Sequence, residues 1–359
     1  MSVRRDVGQR VRRLRVNPSV AVVGLGYWGP NLVRVLIERS DAELRWICDT
    51  DVSRLERYGR RYPSVRLTRE LDELLDDPEL DAVLLATPVF THYGLARRCL
   101  EAGKHTFVEK PLASSTPLAE ELISMSAERE LSLMCGHTFL YSPPVRAVRE
   151  LIDSDALGKL YFVSASRVNL GLHQRDVSVI WDLGPHDFSI LLYWLGRAPN
   201  TIRATGRDSI VPGIADVAFV TMEFESGLIA SIELSWLAPS KLRRTVVVGS
   251  KRMVVYEDGG VEPIKVYDRG VDYKDPETFG EYQLSYRSGD ILSPKLSTEE
   301  PLALQIADFL RAVRSRQRPA HDLSLARDVV RLAEAAHLSL ANGGERIALD
   351  GQTVMSQVV

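Results

Sequence analysis

Ser19-Val20-Ala21-Val22-Val23-Gly24-Leu25-Gly26-Tyr27-Trp28-Gly29-Pro30-Asn31 is where the sequence first becomes regular. A short apolar run ends in Gly24, and apolar residues then recur at helical spacing over Asn31–Glu38, so a strand turns directly into a helix. The glycines form a G-x-G-x-x-G in that turn, a dinucleotide-binding fingerprint. Gly24 permits the tight turn, Gly26 lets a pyrophosphate approach the backbone, and Gly29 lets helix pack on strand. The helix N-terminus offers unpaired N–H groups and a partial positive charge to phosphates. Pro30 is tolerated because it falls in the first turn. The motif alone also fits a plain turn; its flanking strand and helix favour the dinucleotide.

The following sequence repeats this alternation. Strands are expected at Leu44–Asp49, Val65–Leu67, Ala82–Ala86, His105–Glu109 and Leu131–Cys135, with helices at 52–61, 71–75, 93–101 and 117–130 between them. Strands alternating with helices indicate β-α-β units and a doubly wound parallel sheet, and continuous apolar strands fit a sheet covered on both faces. Asp49 closes the second strand 25 residues after Gly24, where a carboxylate accepts hydrogen bonds from the adenosine ribose. Asp49 and Asp51 would repel a 2′-phosphate, so NAD is the expected cofactor; Arg54 leaves NADP as the alternative. A loop or capping role is the plainer reading of Asp49.

Beyond about Tyr141 the pattern changes. Lys159–Asn169, Ala215–Phe224, Leu228–Trp236, Arg243–Gly249 and Met253–Glu257 are strand candidates in succession, with a hairpin turn at 225–227. One helix is expected at Val179–Leu195, and two more, at 301–316 and 323–341, close the chain. This half reads as an α+β domain with a large, open, mostly antiparallel sheet. Residues 259–298 show no pattern that places them. The expected divisions are a basic arm at 1–18, a dinucleotide-binding Rossmann domain at 19–138 and a substrate-binding and oligomerisation domain at 139–359.

Composition agrees with two globular domains. The chain has 359 residues, 45% of them hydrophobic and 26% charged. Its 45 basic and 48 acidic residues leave a formal charge of −3, which gives no electrostatic reason to expect nucleic acid or an anionic membrane as partner. The arginine-rich arm lacks the aromatics that stack on bases and the apolar run of a secretory signal. No stretch reaches the ~18 consecutive apolar residues of a membrane span. Cys48, Cys99 and Cys135 are scattered, so a reducing, cytoplasmic setting is expected. No metal site is expected, because His and carboxylate residues lack ligand spacing.

Further motifs follow in order: Ala86-Thr87-Pro88, His92, Ala102-Gly103-Lys104-His105 and Glu109-Lys110-Pro111. With the glycine-rich turn they resemble the glucose-fructose oxidoreductase/inositol dehydrogenase/rhizopine catabolism (Gfo/Idh/MocA) family, over about residues 19–200. Gly26-Tyr27-Trp28-Gly29-Pro30-Asn31-Leu32 is similar to the nucleotide-sugar 3-dehydrogenase branch. The resemblance implies a cofactor site made of Gly24, Gly26, Tyr27, Trp28, Gly29, Asp49, Thr87, Pro88, His92, Glu109 and Lys110. It also implies a cis Lys110–Pro111 bond, Lys110 beside the nicotinamide and in contact with the reacting hydroxyl, and an aspartate and histidine four residues apart, here Asp182 and His186.

On a helix, Asp182 and His186 would share a face, although Gly184 and Pro185 are expected to disturb it. Histidine titrates near neutrality and suits proton removal from an alcohol, a carboxylate can orient it, and a lysine can stabilise the developing alkoxide. The plainer readings are a helix-capping Asp182, a core His186 and a surface Lys110. His92 and His137 follow strands near the expected site, while His337 lies in a helix and reads as structural. Tyr141, Arg167, Asn169, His173, Gln174 and Arg175 lie where family members line the sugar pocket. A charged loop face is the alternative for the last group, and Leu140 stands where many relatives carry a basic residue. The expected function is an NAD-dependent dehydrogenase or ketoreductase of a sugar ring carbon, the sugar being nucleotide-linked. The alternatives are a free cyclitol or sugar dehydrogenase and a non-catalytic NAD sensor. A homodimer or homotetramer through the antiparallel sheet is implied by the family.

Overall fold

A computed structural model describes residues 17–171, 173, 177–225, 227–273, 284–315, 319 and 323–349. The expected basic arm therefore lies almost wholly outside the described residues. The first half runs β1 (Ser19–Val23), α1 (Gly29–Ile37), β2 (Glu43–Cys48), α2 (Val52–Arg61), β3 (Arg66–Thr68), α3 (Leu71–Leu75), β4 (Ala82–Leu85), α4 (Val89–Glu101), β5 (His105–Val108), α5 (Thr116–Glu128) and β6 (Leu133–Cys135). Its six strands pair in parallel in the order β3-β2-β1-β4-β5-β6. The order reverses direction between β1 and β4, the switch point where doubly wound sheets bind ligands. Side chains alternate across β1. Val20 and Val22 enter the core on one face and Ala21 and Val23 that on the other.

A 3₁₀ turn at Thr138–Tyr141 leads into the second half: α6 (Pro143–Asp153), β7 (Leu160–Leu170), α7 (Val179–Leu195), β8 (Thr201–Arg207), β9 (Val217–Glu223), β10 (Ile229–Ser235), β11 (Leu237–Gly249), β12 (Met253–Glu257), β13 (Ile264–Tyr273), β14 (Leu284–Leu292), α8 (Pro301–Ser315), α9 (Leu323–Ala341) and β15 (Ile347–Ala348). Nine strands form one sheet, β14-β13-β12-β11-β7-β10-β9-β8-β15. Among the described residues, only the β7–β10 pair of this sheet is parallel. One face is covered by helices, α7 and α9 among them, whereas the other leaves Phe162, Phe219 and Ile229 exposed.

The structure differs from expectation in several respects. Two strands, β13 and β14, occupy much of the unplaced region, and β14 is so largely exposed that its sequence carries no clear apolar alternation. The amphipathic helix α6 and the strand β8 had no counterpart in the sequence reading. Helix α7 passes through Gly184-Pro185 without ending. Proline removes one helical hydrogen bond, at a cost of about 3 kcal/mol, but 11 of this helix's 17 residues are buried, and that packing outweighs it.

Finally, the two cores interlock. Leu302, Ile306, Phe309, Leu310 and Val313 of α8 are buried in the first half's core, and Phe309 meets Phe107 of β5 edge-on at 5.8 Å. From α9, Ala326 and Val330 join the core on the sheet's other face. Glu334 of the same helix accepts the Thr116 N–H at 2.9 Å, capping α5 where Ser115 makes no side-chain cap.

Candidate active site

A cleft of about 750 Å³ opens at the β1/β4 switch point, a volume typical of ligand sites. Its first end is shaped by glycines. Gly24 has φ +93°, and a Cβ there would stand 2.5 Å from the Ala86 carbonyl oxygen. At Gly29 a Cβ would lie 1.9 Å from the Gly24 oxygen, so only glycine lets α1 start against that turn. Gly26 lines the cleft and a Cβ on it would meet nothing within 4 Å. That open space is where a pyrophosphate can reach backbone. Helix α1 has no side-chain cap and no acidic residue in its first turn, so its positive end is left for an anion. Asp49 follows β2 and is buried. Its carboxylate accepts the Leu25 N–H at 2.5 Å and the Asp51 N–H at 2.8 Å. Arg54, the cation that would favour NADP, pairs with Asp49 at 3.6 Å and Asp51 at 3.3 Å. These features fit NAD.

The middle of the cleft joins two loops. Thr87 and Pro88, after β4, line it together with Tyr27, Trp28 and Lys110. His92 does not line it. It is buried, with one ring nitrogen 2.8 Å from the Pro111 carbonyl oxygen and the other 2.8 Å from that of Thr87. It therefore braces the Thr87-Pro88 loop against the Lys110-Pro111 loop. Burial, more than the nearby Lys110, lowers its pKa. The Lys110–Pro111 bond is cis. Glu109 is buried, and desolvation raises its pKa to about 8 against the pull of Lys110. Gly136 leaves room for its carboxyl: a Cβ there would fall 2.7 Å from Oε2.

At the far end, α7 brings Asp182 to Lys110. The Lys110 Nζ donates to the Asp182 backbone oxygen at 2.8 Å and lies 3.6 Å from its Oδ1. The other carboxylate oxygen accepts the Trp236 indole N–H at 3.1 Å. His186 follows one turn later, outside the cleft lining, its ring edge-on to Phe139 at 5.2 Å. Its pKa is held well below 6.5, first by burial, then by the positive charges of Lys110, Arg167 and Arg243 and by His137. The imidazole is thus neutral at neutral pH and able to accept a proton.

The other expected site residues scatter. Arg167 is buried in a bidentate pair with Asp187, at 2.5 and 3.2 Å, with its guanidinium over Phe139. Tyr141 donates to Asp308 of α8 at 2.6 Å. Asn169 and His173 cluster at Trp236: His173 lies 5.3 Å from its ring, and a Cβ on Gly171 would touch both Asn169 and Trp236. His137 is buried beside the small cavity that Tyr141 also lines, and His337 lies exposed on α9. Gln174 and Arg175 lie outside the described residues. Trp236, Phe139 and the cleft-lining Arg69 were missed. No local pattern marks them, because their positions are set by tertiary contacts.

A doubly wound domain with this cleft, followed by a one-sided sheet that supplies α7, defines a two-domain NAD-binding oxidoreductase. Residues 19–137 match the family model described as oxidoreductase family, NAD-binding Rossmann fold, and residues 145–255 match the GFO/IDH/MocA C-terminal domain. The chain belongs to the GFO/IDH/MocA oxidoreductase family. The structure of GenD2 from gentamicin A biosynthesis, in complex with NAD, is similar with a TM-score of 0.79 and 26% identity, covering 96% of this chain and 100% of that one. UDP-N-acetylglucosamine 3-dehydrogenase of Acidithiobacillus ferrooxidans is 29% identical over 71% of this chain and 74% of its own length. Myo-inositol 2-dehydrogenase of Thermotoga maritima is 27% identical over 67% and 73%. Among the described residues, no helix is long and apolar enough to cross a membrane.

Proposed function

We propose that this protein is an NAD-dependent dehydrogenase or ketoreductase acting at a ring carbon of a nucleotide-linked sugar. The observation that carries the reading is the approach of Lys110 to Asp182 at the inner end of the cleft, with neutral His186 one turn beyond. Bound in the cleft, the nicotinamide supplies a two-electron acceptor. Everything else falls to the chain. Lysine has three N–H donors; one is taken by the Asp182 carbonyl, which leaves donors for a substrate oxygen. Lys110 thus orients the hydroxyl and stabilises its developing negative charge. His186 removes the hydroxyl proton, and in the reverse direction returns it. Asn169 and His173, packed around Trp236, are read as the residues that bind neighbouring hydroxyls. Arg167 and Tyr141, engaged with Asp187 and Asp308, support the pocket from behind.

A nucleotide-linked substrate is favoured by the Gly26–Leu32 sequence and by similarity to the UDP-sugar enzyme. A free cyclitol is the second reading, favoured by the inositol dehydrogenase relative. The exposed sheet face carrying Phe162, Phe219 and Ile229 is read as the self-association surface of a dimer or tetramer, with the enzyme in the cytoplasm. The test is NAD-linked turnover against nucleotide sugars and free cyclitols. Turnover of nucleotide sugars supports the proposal, and turnover of cyclitols alone transfers it to the second reading. Tight NAD binding without any turnover would make the protein a cofactor sensor.

A further inference from the structure

Trp236 stands at the junction of β10 and β11, 1% exposed and 54 positions from Asp182 in sequence. Its backbone is held on both sides: its oxygen accepts the Gly171 N–H at 3.0 Å and its N–H donates to Asp216 at 2.9 Å. Around the ring, His173 packs at 5.3 Å, and Gly171 has no room for a Cβ, which would lie 2.8 Å from the indole Cδ1. The indole cannot swing, so the direction of its N–H is fixed. A buried tryptophan needs some acceptor, and Trp194 uses the Val145 backbone oxygen at 2.8 Å. Trp236 instead donates to the carboxylate that faces Lys110.

We propose that Trp236 is a positioning residue of the reaction, whose indole N–H fixes the Asp182 carboxylate so that Asp182 aims the Lys110 ammonium. The division of contacts argues for this. Oδ2 of Asp182 is held by Trp236, which turns Oδ1 toward Nζ, while the Asp182 backbone oxygen accepts from the same ammonium. One lysine donor is taken by that backbone oxygen, the carboxylate at 3.6 Å attracts the ammonium without a hydrogen bond, and with one N–H fixed the directions of the other two follow from tetrahedral geometry. The second domain thus sets the donor of the first. Without the indole N–H the carboxylate is free to rotate, and the two remaining donors lose their fixed aim.

The inference rests on the dehydrogenase reading, so it is tested on the full-length protein with NAD and whichever sugar the parent turns over. Trp236→Phe keeps a ring and loses the N–H. It should lower kcat/KM about 10–100-fold, the range for losing a hydrogen bond to a charged group, while NAD affinity by fluorescence titration stays within about twofold of the parent. A purely structural tryptophan would not be coupled to Asp182. The decisive reading is therefore the cycle with Asp182→Asn, where the double variant should lose much less than the product of the single losses. If Trp236→Phe does not fold, benzothienylalanine at 236 keeps the indole shape without its N–H and gives the same reading. Single losses that multiply, or a Trp236→Phe enzyme with parental kcat/KM, would overturn the proposal. A parent that turns over no sugar would instead overturn the dehydrogenase reading.

Discussion

At one end of the cleft Gly24 and Gly29 act by leaving room for backbone, and Asp49 is held by two backbone amides. At the other end three separate segments meet, with the Lys110 ammonium on the Asp182 backbone oxygen and the Trp236 indole on its carboxylate. The first end is therefore a property of a short contiguous peptide, and the second a property of the assembled molecule. Substitutions should separate the two, damaging affinity at one end and chemistry at the other.

The largest effect is expected at the Lys110–Asp182 end, where the proposed chemistry lies. His186→Asn should lower kcat about 10²–10⁴-fold with NAD affinity nearly unchanged, and Lys110→Met should cost roughly 3–4 kcal/mol of alkoxide stabilisation, a similar factor. Steady-state kinetics with cofactor titration checks both; near-parental kcat in His186→Asn would make that histidine structural. Next comes the support behind it. Asp187→Asn leaves Arg167 charged and buried without its partner, which should destabilise the fold by about 3–5 kcal/mol. Denaturant unfolding measures this, and a change below ~1 kcal/mol would contradict it.

At the cofactor end the two glycines should part company. Gly29→Ala drives a methyl into the Gly24 carbonyl and should lower both Tm and NAD affinity. Gly26→Ala meets no protein atom, so Tm should hold while the NAD Kd rises about tenfold or more. Equal melting losses in both would break the contrast. NADP should bind more weakly than NAD, because two like charges 4 Å apart near a surface repel by about 4 kcal/mol before screening, and Arg54 is already paired to both aspartates. Parallel titrations decide it.

The smallest effect concerns pH. A general base must be neutral, so activity in the oxidising direction should fall only as pH drops through the depressed pKa of His186, below 6.5. The groups acting on it are Lys110, Arg167, Arg243 and His137. On the acidic side, Asp187 pairs with Arg167, Asp258 with Arg243 and Asp182 with Lys110. Arg243→Gln removes one partly exposed positive charge and should move the acid limb upward by about half a unit or less. A kcat/KM profile that moves downward, or does not move, would detach His186 from that limb.

The same contrast explains how much could be read beforehand. The Gly24–Gly29 turn and the position of Asp49 beside it were legible because local sequence alone makes the turn, whereas Lys110, Asp182 and His186 were marked as candidates only by a family resemblance. Helix α7 was placed with its observed limits, yet its passage through Pro185 depends on burial that no local pattern reports. Trp236 was not legible: an apolar strand end predicts a buried indole, but not the acceptor it finds 54 positions away. The β13–β14 ribbon was missed for the opposite reason, since an exposed edge leaves little mark on the sequence.

The seating of α8 in the first half's core has a consequence for synthesis of the chain. When residue 138 leaves the ribosome, the β1 and α1 surface that will cover Ile306, Phe309 and Leu310 is still bare. At roughly 5–20 residues per second, that apolar surface waits on the order of ten seconds or more for α8 to emerge. The domain that begins first is completed last, and a fragment ending near residue 138 should be protease-sensitive and aggregation-prone. Limited proteolysis of ribosome-bound chains should show resistance of the first half arising only after residue 315 has emerged; resistance at residue 138 would show that the first half closes without α8.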